Sequence, residues 1–287
     1  MSDPLGWKQT FDEEIQRLID ETGVGPAQWR SGGRKTANNP AGEDIAWWMG
    51  EGLSQVTAYA EWLRSSNLRI ATLPDGQPGI EWRTQARLLP DDPDSTPISM
   101  AADLIVETGP ESTMIIDIKS GQKEPTSPHQ LALYSTLIGA NLDMAAPNLG
   151  AFYMSRRAVM TAPVPLGNWG VVYWTNVVRQ LTTAIRHQIF LPNVGWQCTT
   201  CSLRKYCSAR EGMEQEQDSL TWVTPPEPPE IDHLSWSQLS TWLYCGKQYE
   251  LARIRGLKET PSVWLAAGVA VHKVCEQIAL DYYGAQQ

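Results

Sequence analysis

Residues 98–107 read ISMAADLIVE and residues 113–119 read TMIIDIK, and these two runs decide the fold. Both are rich in apolar and β-branched residues, and the TGPES turn between them predicts a β-hairpin. Further strands are predicted over 80–89, 149–157 and 158–165, and helices over 8–22, 43–65, 127–140, about 170–190, 234–257 and 263–282. Strands followed by a helix and more strands predict an α/β fold, with a core sheet flanked by helices.

Composition sets broad limits on the class of protein. The chain has 287 residues, of which 42 % are apolar and 19 % charged, as in an ordinary soluble globular protein. It contains no run of eighteen or more apolar residues, so no membrane span or membrane partner is expected. The first residues, MSDPLGWKQTFDEE, have neither the basic start nor the apolar core of a signal peptide, which predicts a cytoplasmic location.

The charge balance is acidic, with a formal net charge of −9. Taken alone, this disfavours nucleic-acid binding, because contacts with phosphates need Lys and Arg. A protein that holds divalent metals nevertheless needs carboxylates, and a local basic groove can coexist with an acidic total. The candidate groove residues are Arg30, Arg34, Lys35, Arg156 and Arg157, and for each of them a solvated surface charge is an equally good interpretation.

Two aspartates lie in the apolar strands of the predicted hairpin. Asp103 stands in AADLIV and Asp117 ends MIIDIK, so the two carboxylates can converge on one divalent cation. Hard oxygen ligands suit Mg²⁺ or Mn²⁺, which polarise a phosphodiester and lower the pKa of a bound water. Lys119 shares the strand face of Asp117 and can stabilise the developing negative charge. The alternative is a pair of ordinary carboxylates at the end of a hairpin.

Two helices carry further polar residues at helical spacing. Gln130 and Tyr134 are four residues apart on the helix after the hairpin, on one face toward the same strand end. Gly268, His272 and Glu276 also repeat every four residues. His272 is a candidate third metal ligand, although a single helical His is more often structural.

The cysteines form a separate group. Cys198, Cys201 and Cys207 follow the pattern C-x₂-C-x₅-C, which lets three thiolates hold one metal centre that needs a fourth ligand. Disulfides are disfavoured in a cytosolic chain. The fifth cysteine, Cys275, lies in the His272 helix and is expected to be buried.

These motifs together resemble those of RecB-like PD-(D/E)XK exonucleases, a group that includes CRISPR-associated and phage exonucleases and the AddB nuclease domain. The segments that carry the resemblance are Asp103, DIKSG (117–121), QLALY (130–134) and GVAVHKVCE (268–276). The resemblance implies a restriction-endonuclease-like core sheet with helical additions. It also implies that His272, Asp103, Asp117 and the backbone carbonyl of Ile118 bind the metal.

Other roles follow from the same resemblance. Lys119 takes the catalytic Lys position, and Gln130 and Tyr134 orient DNA and support the site. In the family, a cysteine inside S-x-S-x-L-x-x-[WY]-x-x-C completes a [4Fe–4S] cluster. SWSQLSTWLYC (235–245) is similar to that signature and implies Cys245 as the fourth ligand. Gly246 stands where the family often has Pro, and zinc is the physical alternative for four thiolates.

The order of the motifs departs from the family. The segment with Cys245 and His272 comes last here, whereas in the family it comes first. A circular permutation explains this order, and a truncated tandem repeat that completes a neighbouring molecule is the alternative. The predicted organisation is a helical region (1–66), a nuclease core (67–195), a three-Cys knuckle (196–208), a linker (209–233) and the permuted segment (234–287), all in one structural domain.

The residues thus predict a metal-dependent hydrolase, and the resemblance implies a deoxyribonuclease, an exonuclease acting on single-stranded DNA ends. The resemblance implies work in phage or bacterial recombination and repair, or in CRISPR-type processing, with recombination or CRISPR adaptation proteins as partners. Two alternatives belong to other classes, namely a catalytically silent DNA-binding or assembly module that retains the nuclease fold and a zinc-ribbon binding protein.

Overall fold

The computed structural model describes residues 5–33, 35, 40–92, 95–207, 209, 230–257 and 261–287. These residues form two compact units. The first unit takes described residues from 1–83, 101–168 and 260–287, and the second takes those from 84–100 and 169–259. Most of the predicted linker and Arg34 lie outside the described residues. Each unit draws on several of the predicted segments, and the domain division stays a prediction.

The predicted hairpin is confirmed. Strand β3 (Ile98–Gly109) runs antiparallel to β4 (Ser112–Lys119), with Leu104 opposite Ile116. The turn places Glu111 in the left-handed region, at a φ of 56°. The middle residues of both strands are buried on both faces, which explains their nearly continuous apolar sequence.

The other strands extend the sheet around this hairpin. They are β1 (Arg69–Ile70), β2 (Ile80–Ala86), β5 (Leu149–Met154), β6 (Val159–Met160), β7 (Val164–Pro165) and β8 (Leu234–Ser235). The main order is β1, β3, β4, β5, β6, and β4 and β5 are parallel. In the second unit, β8 pairs in parallel with the first residues of β3. The mixed α/β architecture is therefore as predicted.

Three predicted strands are shorter than expected, and the first of them, predicted over 80–89, ends at Ala86. The run over 149–157 leaves the sheet after Met154 and continues as a 3-10 turn at Ser155–Arg157. The run over 158–165 forms two strands of two residues each, β6 and β7. Pro163 lies between β6 and β7 and explains the break, because a proline has no N–H to give to a sheet ladder.

Three helices build the core of the first unit beside the sheet. They are α1 (Trp7–Thr22), α2 (Ile45–Ser65) and α7 (Val263–Gly284), and α7 packs against both of the others. Gly52 of α2 lies under the indole of Trp7, and a Cβ there would fall 1.9 Å from a ring atom. This close approach fixes how α1 meets α2.

Helix α7 is long and apolar enough, by length and composition, to cross a membrane. Ala266, Ala270, Val274 and Ile278 are nevertheless buried in the core of the unit. The opposite stripe carries polar residues, including His272 and Lys273. This pattern is typical of a core helix of a globular protein.

The remaining helices are α3 (His129–Asn141) in the first unit, and α4 (Val171–His187), α5 (Trp236–Tyr244) and α6 (Gly246–Tyr249) in the second. The prediction of one continuous helix over 234–257 is wrong. Ser235 caps α5 through a capping box with Gln238, and α5 ends at Cys245, whose φ of −163° and ψ of 114° are extended. Helix α6 restarts at Gly246 and continues as a π-helical turn at Glu250–Ile254.

Candidate functional site

The two predicted aspartates face each other at the end of the hairpin. Each lies one residue beyond the Leu104–Ile116 pair, so their side chains project from the same face of β3 and β4. Both are buried, with 7 % of Asp103 and 3 % of Asp117 exposed. The backbone N–H of Ile118 donates to Oδ2 of Asp103 at 2.6 Å.

His272 reaches the same place from α7. Its Nδ1 lies 3.5 Å from Oδ2 of Asp103 and 3.7 Å from Oε1 of Glu81. One ligand atom from each of these three residues lies within 4.8 Å of the other two. This cluster of Glu81, Asp103 and His272 has the spacing and the donor atoms for one divalent cation.

Glu81 is the residue that sequence reasoning missed. It lies in β2 between the buried Ile80 and Trp82, so a period of two places it on the opposite, solvent face. Its φ of 41° lies in the left-handed region, which breaks that alternation, and its side chain is only 6 % exposed. Strained backbone of this kind concentrates at functional sites.

Lys119 connects the carboxylates to α3. Its Nζ lies 2.7 Å from Oδ2 of Asp117 and donates to Oε1 of Gln130 at 3.0 Å. The amide of Gln130 in turn donates to the hydroxyl of Tyr134 at 3.4 Å. Successive polar contacts therefore connect Asp117, Lys119, Gln130 and Tyr134. The spacing along the strand and the helix predicted that these side chains lie together.

A second contact holds the strand that carries Lys119. The hydroxyl of Ser155 lies 2.6 Å from Oε1 of Gln55 and 3.2 Å from the backbone oxygen of Lys119, and can donate to either. Ser155 and Gln55 are both buried. The end of β4 is thus tied to α2.

The buried charges shift one another's pKa values. Burial and the neighbouring charge of Asp103 raise the pKa of Asp117 to about 6. Burial alone would raise the pKa of Asp103 too, but the positive charge and hydrogen bond of His272 hold it below its ordinary value. Burial opposes a charge on His272, yet Asp103, Glu81 and Asp117 raise its pKa to about 10. The carboxylates thus create a strongly negative field at this histidine.

One oxygen of the site has no well-directed donor. Among the described residues, Oδ2 of Asp117 is buried and accepts no hydrogen bond of good geometry, so its contact with Lys119 is an ion pair. A cation at this oxygen would therefore compete with the Lys119 ammonium. The carboxylate oxygens of Glu81 and Asp103 and the ring nitrogen of His272 fit a divalent metal ion.

Four cysteines of the second unit line one cavity: Cys198, Cys201, Cys207 and Cys245. Asn193 lies between two of them, since its N–H donates to Sγ of Cys245 at 3.4 Å and its carbonyl lies 3.9 Å from Sγ of Cys198. Burial raises the pKa of Cys201, and the other three thiols act in the same direction. Cys275 is fully buried in the first unit, as expected.

The glycine at position 246 has a local structural reason. A Cβ at this position would lie 2.8 Å from the backbone oxygen of Leu191 and 2.9 Å from the indole of Trp242. The chain beside Cys245 therefore passes too close to residue 191 for any larger residue to fit without a shift.

The basic candidates differ from one another. Arg30 and Lys35 are exposed. The Arg156 side chain is only 10 % exposed, pairs with Glu43 and Glu51, and packs over Trp47 and Trp48. It is neither a solvated charge nor available in this arrangement to a phosphate.

The model of the PD-(D/E)XK nuclease superfamily matches residues 8–208, which are 201 of the 287 residues. The match includes both strand-end aspartates, Lys119 and the three-Cys knuckle, and it ends before the segment that carries Cys245 and His272. No curated protein matches the chain. Because the match covers well over half of its length, the chain belongs to the PD-(D/E)XK nuclease superfamily.

Proposed function

We propose that this protein is a metal-dependent deoxyribonuclease that degrades DNA from single-stranded ends. The observation that carries the proposal is the convergence of Glu81, Asp103 and His272 beside the Asp117–Lys119 pair. A cation site with an adjacent ammonium group is the arrangement that phosphodiester hydrolysis needs.

The proposed ligands of a Mg²⁺ or Mn²⁺ ion are His272, Asp103, Asp117 and the backbone carbonyl of Ile118, to which the structure adds Glu81. When bound, such an ion supplies Lewis-acid polarisation of the phosphate and a more acidic water. The N–H of Ile118 in β4 already holds the carboxylate of Asp103, which lies in the paired strand β3. The negative field of the three carboxylates favours a cation over an anion at this position.

Lys119 supplies the fixed positive charge of the site. Its ammonium group is held by Asp117 and by Gln130, and Tyr134 orients Gln130. In this position it can orient a water and stabilise the negative charge that develops on the phosphoryl oxygens. Gln130 and Tyr134 are positioning residues in this scheme, because they act through Lys119.

We also propose that the four cysteines around Asn193 hold a [4Fe–4S] cluster. Their common cavity supports one four-thiolate centre, and the resemblance of both cysteine motifs to RecB-like nucleases favours iron over zinc. The role of the cluster is structural, since it joins the 196–208 knuckle to the end of α5. Without a metal centre, little regular structure holds these residues together.

The tail of the chain completes both sites in one molecule. Cys245 lies with the three knuckle cysteines, and His272 lies with Asp103. These contacts support a circular permutation of the RecB-like motif order rather than a truncated tandem repeat. By the same resemblance, we propose a role in phage or bacterial recombination and repair or in CRISPR-type processing, with proteins of those pathways as partners, and a cytoplasmic location is consistent with that role.

The test is degradation of single-stranded DNA labelled at either the 5′ or the 3′ end, with a duplex for comparison. With Mn²⁺ the protein should shorten the labelled strand, and EDTA should stop the reaction. Asp117→Asn should lower the rate on the order of 10²-fold or more. Asp12→Asn, a carboxylate half-exposed on α1, is the matched control and should change nothing. Binding of DNA without any cleavage would instead identify a silent module.

A further inference from the structure

We infer that Trp264, with Arg30 against its ring, is a stacking site for an unpaired base of the DNA strand that enters the active site. The inference rests on the proposed function and adds to it a binding residue outside the catalytic cluster. Trp264 is a large aromatic side chain at the start of α7 that remains 39 % exposed, beside Leu265, which is 50 % exposed.

Arg30 is fixed beside this ring by backbone contacts. Its guanidinium carbon lies 5.3 Å from the centroid of the Trp264 ring, within cation–π distance. The N–H of Arg30 donates to the carbonyl of Pro261 at 3.0 Å, and Val263 donates to the carbonyl of Arg30 at 3.2 Å. The positive charge and the aromatic surface therefore form one unit, which we call the Trp264 platform.

Gly32 lets the platform form. A Cβ on Gly32 would lie 3.3 Å from a carbon of the Trp264 ring, so the chain passes directly along the indole there. The ring is thus supported on this side by backbone, while more than a third of the residue faces solvent. Base stacking uses one face of a supported aromatic ring, and because Arg30 lies over one face of Trp264, the base in our proposal stacks on the other face.

The platform lies on the same stripe of α7 as the metal-site histidine. Trp264, Gly268 and His272 are four residues apart in turn, so they lie along one face of the helix. At about 1.5 Å per residue, Trp264 stands about 12 Å from His272 along the axis. A single strand with a rise of about 3.4 Å per stacked nucleotide, or more when extended, covers this distance in two to four nucleotides.

Gly268 brings this stripe of α7 close to the catalytic strand. A Cβ placed there would lie 3.3 Å from the hydroxyl of Ser120, which is a tight contact. Ser120 directly follows Lys119, so α7 meets the end of the catalytic strand at Gly268. A DNA strand held by its base at Trp264 is therefore placed beside the entrance to the Lys119 and His272 site, with the charge of Arg30 close to its phosphates.

A purely structural role is the competing explanation, in which Trp264 only packs against the 30–33 loop. The experiment that separates the two uses single-stranded oligonucleotides in which one abasic residue is moved through the terminal positions. Affinity is measured by fluorescence anisotropy with EDTA present, so that no strand is cut. The proteins are the wild type, Trp264→Ala, Trp264→Phe and Leu280→Ala, the last being an equally exposed apolar residue at the far end of α7.

For the wild type, one abasic position should weaken binding roughly tenfold, because stacking of one base on an aromatic ring is lost. Trp264→Ala should bind the intact strand about as weakly as the wild type binds the abasic strand. Its affinity should not change when that position is made abasic. Trp264→Phe should recover most of the affinity, and Leu280→Ala should behave as wild type. The inference is overturned if Trp264→Ala loses the same affinity for every oligonucleotide, or if it loses none. Either result leaves the nuclease proposal intact. A wild type that neither binds nor cuts single strands with Mn²⁺ overturns both.

Discussion

Nδ1 of His272 lies 3.5 Å from Oδ2 of Asp103, although the two residues come from the last helix and the third strand of the chain. This contact places a motif from the end of the sequence on the strand end that carries the predicted metal ligands. The proposed circular permutation is compatible with this contact, because the segment that comes last in the sequence lies beside Asp103 in the same molecule. Loss of either partner should therefore affect metal binding first.

His272→Ala should weaken Mn²⁺ binding and lower the rate of DNA cleavage, each on the order of 10²-fold, because a ligand is removed. Isothermal titration calorimetry with Mn²⁺ measures the first effect and a nuclease assay the second. His187→Ala removes an exposed histidine of α4 and should leave both unchanged. Unaltered Mn²⁺ affinity in His272→Ala would show that His272 is not a ligand.

Glu81→Gln should also weaken Mn²⁺ binding, by roughly tenfold or more, because it removes a negative charge 3.7 Å from His272. The substitution keeps the size of the side chain, so the fold should be retained. Glu107→Gln, on the exposed end of β3, is the matched control. Equal affinities in the two variants would remove Glu81 from the site.

The purified protein should contain about four irons per chain and absorb broadly near 400 nm. Cys201→Ser should bleach this absorption and lower the melting temperature, because the 196–208 knuckle loses its link to α5. Cys275→Ser is the matched control and should keep the iron, since Cys275 lies in the other unit. Stoichiometric zinc without iron, in protein prepared under exclusion of oxygen, would contradict the cluster.

Gly246→Ala should destabilise the protein by about 1–3 kcal/mol, because the new Cβ meets the backbone of Leu191. Gly50→Ala, in the middle of α2 with no atom near its Cβ, should instead stabilise it by about 0.5–1 kcal/mol. Urea unfolding of both variants measures the difference. If the free energy of unfolding changed in the same direction in both variants, the close approach at Gly246 would not constrain the chain.

Glu14 should contribute stability that is lost in acid. Burial raises its pKa, but hydrogen bonds and ion pairs with Lys273 and Arg17 outweigh burial and hold the pKa below its ordinary value. The stability that Glu14 contributes is therefore fully present above its unfolded-state pKa of about 4.3. It is lost as the pH falls through the lower pKa of the folded state. Glu14→Gln should cost about 1–2 kcal/mol at pH 7 and show a shallower loss of stability below pH 4.3 than the wild type. Glu13→Gln, an exposed neighbour, should follow the wild-type curve.

Sequence patterns were sufficient for the part of the site that depends on regular spacing. Asp103 and Asp117 lie in two apolar strands, and the pairing of those strands in a hairpin brings the two positions together. Gln130 and Tyr134 are one helical turn apart, so their common face follows from the helix itself. Glu81 could not be found in this way, because its positive φ reverses the side of the strand to which it points.

The sequence patterns also did not predict where the helix over 234–257 is interrupted. Residues 234–257 have helical periodicity throughout, yet the chain is extended at Cys245, where its thiol joins the three-Cys knuckle. Tertiary contacts decide this break, and local propensity does not record them. Pro163, in contrast, was visible in the sequence and accounts for the break between β6 and β7.

The most direct test of the central claim is a comparison of the wild type with Lys119→Gln, measuring Mn²⁺ affinity and single-strand cleavage on the same samples. Lys119 pairs with Asp117 and competes with a cation for that carboxylate. The variant should therefore bind Mn²⁺ at least as tightly as the wild type, while its cleavage rate falls on the order of 10²-fold or more because the charge beside the phosphate is lost. Cleavage by Lys119→Gln at the wild-type rate, or a wild type that binds Mn²⁺ and never cuts DNA, would contradict the account.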